Sequence, residues 1–363
     1  MKISLNIKFA AGPSGGGNQF ALSLRDYLSA QGVTVVTDLI DKDIDVIFHI
    51  VPFPFLMKAG SYTFLDAYLY KLKKPDTVII HRVNECDERK GTRYLNRMLI
   101  RVAKYSDALV FIASWLKPLL EKQGLDTAKP NKVILQGADS KIFNLIGKEF
   151  WDRTRKLRIV THHWSDNYLK GHDFYHRLDD LLSDPAFGAK FEFTYIGNYP
   201  KNLVYKNTRL IKPLSGLELA AELKRNDVYL TASRHEPAGM HHIEGALCGL
   251  PILYLDSGAL KEYCQDFGLE FNQENFPAKL LEMYDNFEIY EEKIKKYRRT
   301  AEAASADYYE FIKNVYAAKS AKNSRPDNFK IAIFSIYRIF YRAYWRIRSC
   351  WALLKNKFLK IFL

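Results

Sequence analysis

VYLTASRHEPAGMHHIEGALCGLP, residues 228–251, sets the local architecture from which the rest of the chain can be read. Val228–Ala232 is short and apolar, the pattern of a strand buried on both faces. Pro237 and Gly239 then turn the chain. His241–Cys248 reads as a helix and Pro251–Leu255 as another apolar strand. Strand, turn, helix and strand in so short a span form the repeating unit of a parallel sheet covered by helices. Two carboxylates sit within it, Glu236 in the strand-to-helix loop and Glu244 inside the helix.

The alternation extends in both directions. Ile3–Phe9, Val33–Val36, Asp45–Ile50, Thr77–His81, Ala108–Ile112 and Lys132–Leu135 read as strands, with helices at Gln19–Ala30 and Arg93–Tyr105. The pattern restarts with strands at Leu157–Thr161 and Phe191–Ile196 and helices at Phe174–Leu182 and Leu217–Lys224. Single cores stop growing at roughly 250–300 residues, so a chain of 363 residues is expected to divide. The expected fold class is α/β with two Rossmann-like domains facing a central cleft. The first spans 1–147 and the second 148–319, which includes closing helices over 278–319. A polar hinge, SAKNSRPDN at 320–328, precedes a helical tail at 329–363.

Charge narrows the function classes. Lysine and arginine number 54 against 41 acids, a net +13. Eight of these cations (Lys330, Arg338, Arg342, Arg346, Arg348, Lys355, Lys357 and Lys360) fall within 328–363, which holds no acid. A nucleic-acid-binding protein would carry its basic and aromatic residues on the folded domains, so nucleic acid is not an expected partner. Hydrophobic residues make up 48% of the chain, which argues against disorder. Cys86, Cys248, Cys264 and Cys350 form no C-x-x-C pair, and reduced thiols in a cytoplasmic protein are the simplest reading. MKISLNIKFA is too short an apolar run for a signal peptide and reads as a first strand. No run of ~20 uncharged apolar residues is present to span a bilayer. The expected location is cytoplasmic.

Gly239 to His241 would present unpaired backbone N–H groups at a helix start, where anions bind. Beside them the Glu236 carboxylate can accept hydrogen bonds from sugar hydroxyls. Glu244 can grip two vicinal ribose hydroxyls, as acids do in nucleotide sites. On residue chemistry alone the pair reads equally as two surface acids among ordinary turn residues.

The spacing of the whole stretch resembles retaining glycosyltransferase family four, of GT-B fold and bacterial surface-polysaccharide type. The family pattern is close to E-P-F-G-x-x-x-x-E-A-x-x-C-G-x-P. Here it reads E-P-A-G-M-H-H-I-E-G-A-L-C-G-L-P, with Glu236, Pro237, Gly239, Glu244, Cys248, Gly249 and Pro251 in register. Ala238 replaces the usual aromatic, leaving space beside the donor sugar, and Gly245 replaces the usual alanine. Further segments follow the family's order. Gly15, Gly16, Gly17 and Asn18 form a glycine loop after the first strand, which does not fit the G-x-G-x-x-G of dinucleotide dehydrogenases. HRVNECDERKGTRYLN at 81–96 is similar to an acceptor-side loop, and VILQGADSKIFN at 133–144 to the exit from the first domain. YLKGHDFY at 168–175 and SGALKEY at 257–263 complete the set, the latter with Gly258 and Glu262 in place.

The resemblance implies a nucleotide-diphosphate sugar as co-substrate, no cofactor and no bound metal. It implies transfer to a glycan or lipid-linked acceptor with retention of anomeric configuration, in surface polysaccharide or lipopolysaccharide synthesis. Glu236 and Lys170 would be catalytic, the carboxylate orienting the sugar and the cation stabilising the leaving diphosphate. Gly16, Gly17, His162, His163, Ala238, Gly239, Met240 and Glu244 would complete the donor site. The family usually carries an arginine a few residues before the lysine. THHWSDN at 161–167 has none, so His162 or His163 would substitute. His81 and Asn84 would line the acceptor side, although a lone histidine at a strand end is often structural. A GT-B-like nucleotide-sugar epimerase or hydrolase, or a non-catalytic nucleotide-sugar binder, would share these motifs.

Two features imitate metal sites. DKDID at 41–45 resembles a D-x-D motif but runs directly into an apolar strand. The paired histidines 162/163 and 241/242, with His172 and His176, lack the defined spacing of a zinc site. In the tail, Ile333, Ile336, Phe340, Tyr344, Ile347, Trp351, Leu354, Phe358 and Ile361 recur at spacings of three and four, one apolar face of a helix. A cationic helix of this kind reads as lying in an anionic membrane interface, or as packing on the protein body.

Overall fold

The computed structural model of the chain describes residues 1–10, 16–53, 59–320 and 325–361, with side chains to 319 and from 325 to 347. The first sheet consists of β1 (Lys2–Leu5), β2 (Thr34–Val36), β3 (Val46–His49), β4 (Val78–Val83), β5 (Ala108–Phe111) and β6 (Asn131–Val133). The second consists of β7 (Leu157–His163), β8 (Phe191–Gly197), β9 (Thr208–Ile211), β10 (Val228–Thr231), β11 (Ile252–Leu255) and β12 (Gly268–Phe271). Their orders are β2-β1-β3-β4-β5-β6 and β12-β11-β10-β7-β8-β9. Every neighbouring pair is parallel. All four residues of β3 and of β10 are buried, as strands covered by helices on both faces require.

Each sheet has a point where the chain reverses its direction of travel, between β1 and β3 in the first and between β7 and β10 in the second. Crevices open there at the carboxyl ends of the strands. The sequence-predicted strands are all present, and the first is shorter than expected, ending at Leu5. β9 and β12 were not anticipated.

The expected second domain, 148–319, is corrected at its end. Helix Ala301–Ser320 leaves the second sheet and packs on the first. Its Tyr308, Ile312 and Val315 share a core with Ile3, Leu5, Leu24 and Phe48. Tyr308 lies 4.9 Å from the Phe20 ring and 5.7 Å from that of Phe48. The apolar spacing of this helix announces a buried face without saying which core receives it. The two segments that cross between domains run side by side. Ala138 pairs with Thr300, its N–H reaching the Arg299 carbonyl at 3.3 Å, while Ala301 N–H donates back to Ala138 at 2.8 Å.

Tail helix Asn328–Ile361 lies along helix Phe64–Lys73 of the first domain. Phe334 packs on Tyr68 and Tyr105, with ring centres 4.9 and 5.8 Å apart, and Tyr341 on Phe64 at 5.5 Å. Arg338 and Arg342 both reach Asp66, at 3.2 and 2.7 Å. Asp66 also closes the capping box of its helix with Thr63. One face of the tail thus packs on the body, and the other stays open. The row Ile333, Ile336, Ile339, Phe340, Tyr344 and Ile347 points away from the body and is 47–68% exposed. The side chains of Trp351, Leu354, Phe358 and Ile361 lie outside the described residues. Among those described, no helix is long and apolar enough to cross a membrane.

Candidate functional site

Two loops of the second domain and two segments of the first converge on one cleft. After β7 the chain makes a single helical turn, Tyr168–Lys170. After β10 it runs through Ser233–Met240 into helix His241–Leu247. Facing them are Gly16 and Gly17 at the start of helix Gly16–Ala30 and the segment that follows β4, with Asn84, Glu85 and Arg89. Together these line a cavity of about 430 Å³. It lies beside the reversal points of both sheets, where α/β proteins hold ligands.

Glu236 is 5% exposed. Its Oε2 accepts a hydrogen bond from Lys170 Nζ at 3.1 Å and lies 3.1 Å from Arg89 Nη2. Burial pushes this carboxyl upward, but Lys170 and then Arg89 outweigh it and hold it down at about 2. Glu236 is therefore an anion at neutral pH. Burial in turn pulls Lys170 below its ordinary value, while the Glu236 charge opposes that. The Glu236 backbone is fixed from behind, pairing with Gly258 and accepting the Ala259 N–H at 2.9 Å. His235 just before it adopts φ 49°, a left-handed conformation that a non-glycine residue rarely takes. That is local strain at the site.

Glu244 Oε2 lies 2.7 Å from His162 Nε2, and His162 Nδ1 lies 3.1 Å from the Tyr229 hydroxyl. The chain Tyr229–His162–Glu244 thus orients the second carboxylate along one wall. His163 Nε2 faces the Tyr175 hydroxyl at 2.7 Å, and His241 Nε2 the Thr231 hydroxyl at 2.9 Å. Burial pulls both imidazoles well below their ordinary range, so they are neutral hydrogen-bonding groups and not cations.

Glu236, Lys170, Gly16, Gly17, His162, His163, Ala238, Gly239, Met240, Glu244 and Asn84 all line this one cavity. Gly15 lies outside the described residues. His81 does not reach the cleft. Successive side chains on a strand face opposite ways, and in β4 it is Arg82 that turns to the cavity. His81 is fully buried against His49 of β3, with ring centres 6.2 Å apart. Glu262 is also directed elsewhere. It accepts hydrogen bonds from the Ser114 N–H and hydroxyl at 2.8 and 2.9 Å, bracing the two domains.

Two glycines explain themselves by close approach. A Cβ on Gly16 would fall 2.7 Å from Met240 Cγ, so the glycine loop touches the motif of the other domain. A Cβ on Gly245 would fall 2.4 Å from the Tyr229 ring, so the position has no room for a side chain. Sequence reasoning missed Arg89, Glu85 and Arg82. Its only signal for Arg89 was the charge run DERK within the segment 81–96.

Among the described residues no group of three or more His, Cys, Asp or Glu side chains is placed to hold a metal ion. Asp41 and Asp43 of the DKDID stretch instead bind Lys2 Nζ at 2.9 and 2.8 Å.

No family model and no curated protein sequence matches the chain. Solved structures do. Sucrose-phosphate synthase from Thermosynechococcus elongatus superposes with a TM-score of 0.61 at 12% identity, over 87% of this chain and 99% of that one. The fold is GT-B. HepE of Anabaena, solved with UDP-glucose, has a TM-score of 0.60 at 11% identity, over 89% of this chain and all of its own. WaaB, a lipopolysaccharide outer core galactosyltransferase solved in its apo form, gives 0.60 at 11%, over 86% and 99%. At such identities the likeness is one of fold.

Proposed function

We propose that the protein is a retaining, metal-independent glycosyltransferase. It moves a sugar from a nucleotide-diphosphate sugar to a glycan or lipid-linked acceptor in surface polysaccharide or lipopolysaccharide synthesis. The observation that carries the reading is the pair Glu236–Lys170 and Glu244–His162 in one inter-domain cavity of a GT-B fold. Lys170 serves as a point cation for the diphosphate that leaves. Glu236, ionised, orients the sugar and stabilises the positive charge that develops on its ring. Glu244, held by His162, accepts the ribose hydroxyls. The acceptor hydroxyl attacks the anomeric carbon from the face the diphosphate leaves. As the carbon–oxygen bond to phosphate breaks, a donor phosphate oxygen takes the acceptor's proton. No second carboxylate base is needed, unlike two-carboxylate glycoside hydrolysis.

The exposed apolar row of the tail, with its cations, suits seating on the anionic inner face of the cytoplasmic membrane. Lipid-linked acceptors would be presented there.

The test is a thermal-shift panel of UDP-, GDP-, ADP- and TDP-sugars, since a ligand at 100 times its dissociation constant stabilises by about 2.7 kcal/mol. UDP-sugars head the panel because HepE was solved with UDP-glucose. Stabilisation by one donor class, followed by acceptor-dependent transfer with retained configuration in the product's NMR spectrum, is the expected result. No stabilisation by any donor would refute nucleotide-sugar use, and turnover without acceptor would indicate an epimerase or hydrolase.

A further inference from the structure

The charge of the cleft is completed from the opposite domain. Arg89 stands on a four-residue helical turn of the first domain, Asp87–Lys90, and is 8% exposed. Its Nη1 donates to the carbonyls of Leu169 at 3.0 Å and Arg234 at 2.8 Å, and its Nη2 lies 3.1 Å from Glu236 Oε2. All three partners belong to the second domain. Leu169 immediately precedes Lys170, and Arg234 lies two residues before Glu236. The Leu169 carbonyl also accepts the Arg234 N–H at 2.8 Å. One guanidinium therefore joins the two loops that carry the reacting groups, and it does so from across the gap.

Taking a guanidinium out of water is costly unless its donors are satisfied. Here the planar fork meets two carbonyls and a carboxylate, an arrangement that a lysine ammonium cannot reproduce from one position. Lys90 pairs with Glu85 at 2.8 Å beside it. Arg82, Arg89, Lys90 and Lys170 against Glu85, Glu236 and Glu244 leave one formal positive charge in the cavity, which favours a diphosphate.

We propose that Arg89 is a cross-domain positioning residue: from the acceptor-side domain it orients Glu236 and holds the cleft shut, so the reaction centre is complete only with the domains together. Its catalytic consequence rests on the glycosyl-transfer reading above. Opening the cleft withdraws one of the two cations from Glu236 and returns the Leu169 and Arg234 carbonyls to water. The same motion that admits a donor thus disarms the carboxylate, and closure rearms it.

Dyes on Ile40→Cys and Val204→Cys, exposed positions in different domains, report the domain separation by energy transfer in a Cys350→Ser background. In ligand-free protein Arg89→Ala is expected to lower the transfer efficiency. With donor and acceptor, kcat falls by about 100-fold, the donor KM changes far less, and the acid limb of the pH–rate profile moves upward. Added guanidinium restores part of the rate, and Arg89→Lys, a milder change, gives intermediate values. An unchanged energy transfer with kcat within about threefold of wild type would overturn the proposal. A wild-type protein that binds no nucleotide sugar would instead overturn glycosyl transfer, while the dye distances would still decide whether Arg89 holds the cleft.

Discussion

Glu236 owes its charge to two cations delivered from different domains, and Glu244 owes its orientation to one histidine. The consequences of removing them differ in kind. Glu236→Gln keeps the shape and discards the charge, and kcat is expected to fall by roughly 100-fold while calorimetry still detects binding of the nucleotide diphosphate. If Glu244 grips the ribose as proposed, Glu244→Ala removes a hydrogen bond made equally in ground and transition states. Donor KM should rise about tenfold with kcat nearly unchanged, read from steady-state kinetics. Gly245→Ala weighs two effects against each other. Alanine gains about 1 kcal/mol of helix propensity, but its Cβ would meet the fully buried Tyr229 ring at 2.4 Å. Overpacking typically costs about 1–3 kcal/mol, so urea denaturation should show a net loss, relieved by adding Tyr229→Leu. At this scale the spacing of the two glutamates was enough to place both in one strand–loop–helix unit. Arg89 was not legible, because DERK reads as a solvated charge run until a second domain closes over it. His81 was expected beside the cleft, but it packs on His49 while Arg82 lines the cavity, since a strand's alternation does not say which side a cleft occupies.

The tail helix presents one face to the protein and another to its surroundings, and the two can be tested separately. Ile336→Ser with Phe340→Ser alters only exposed side chains. Sedimentation with anionic vesicles should then be lost while the melting temperature holds. Vesicle binding equal to wild type would remove the membrane role. Deleting 326–363 should also release the protein from vesicles with turnover on soluble acceptors retained, but it uncovers Phe64, Tyr68 and Tyr105 as well. The spacing of three and four placed Ile333, Ile336, Phe340, Tyr344 and Ile347 on one face, and those five are exposed. It did not reveal that Phe334, Arg338, Tyr341 and Arg342 form an inward one, because an arginine that pairs with Asp66 looks in sequence like any other cation. β9 and β12 escaped notice for a simpler reason. Both are four-residue edge strands, β9 half exposed and β12 opening on a glycine, too short and too mixed for a periodic signal.

Across the whole molecule, six histidines are buried in neutral form. Burial holds His49 and His242 at about 3 and His172 at about 4, with His81, His163 and His241 well below the ordinary 6.5. A folded value below the unfolded one means that the unfolded chain takes up protons first as pH falls. The associated stability is therefore complete above about pH 6.5 and is lost progressively toward pH 3–4, at up to about 1.4 kcal/mol per pH unit for each histidine. Urea midpoints should drop steeply between about pH 7.5 and 5. A flat profile would show that these rings are protonated or solvated in the native state.

The return of helix Ala301–Ser320 to the first sheet makes the second domain an insertion within the first. On the ribosome the usual order is then reversed, since domains generally fold as their own residues emerge. The second domain has all its strands once Phe271 is out. The first cannot close its core until Tyr308, Ile312 and Val315 have been synthesised. Half-made chains would carry an uncovered apolar layer for most of translation, and a gene cut at residue 147 should yield an aggregating fragment where one cut on both sides of 148–300 yields a soluble one.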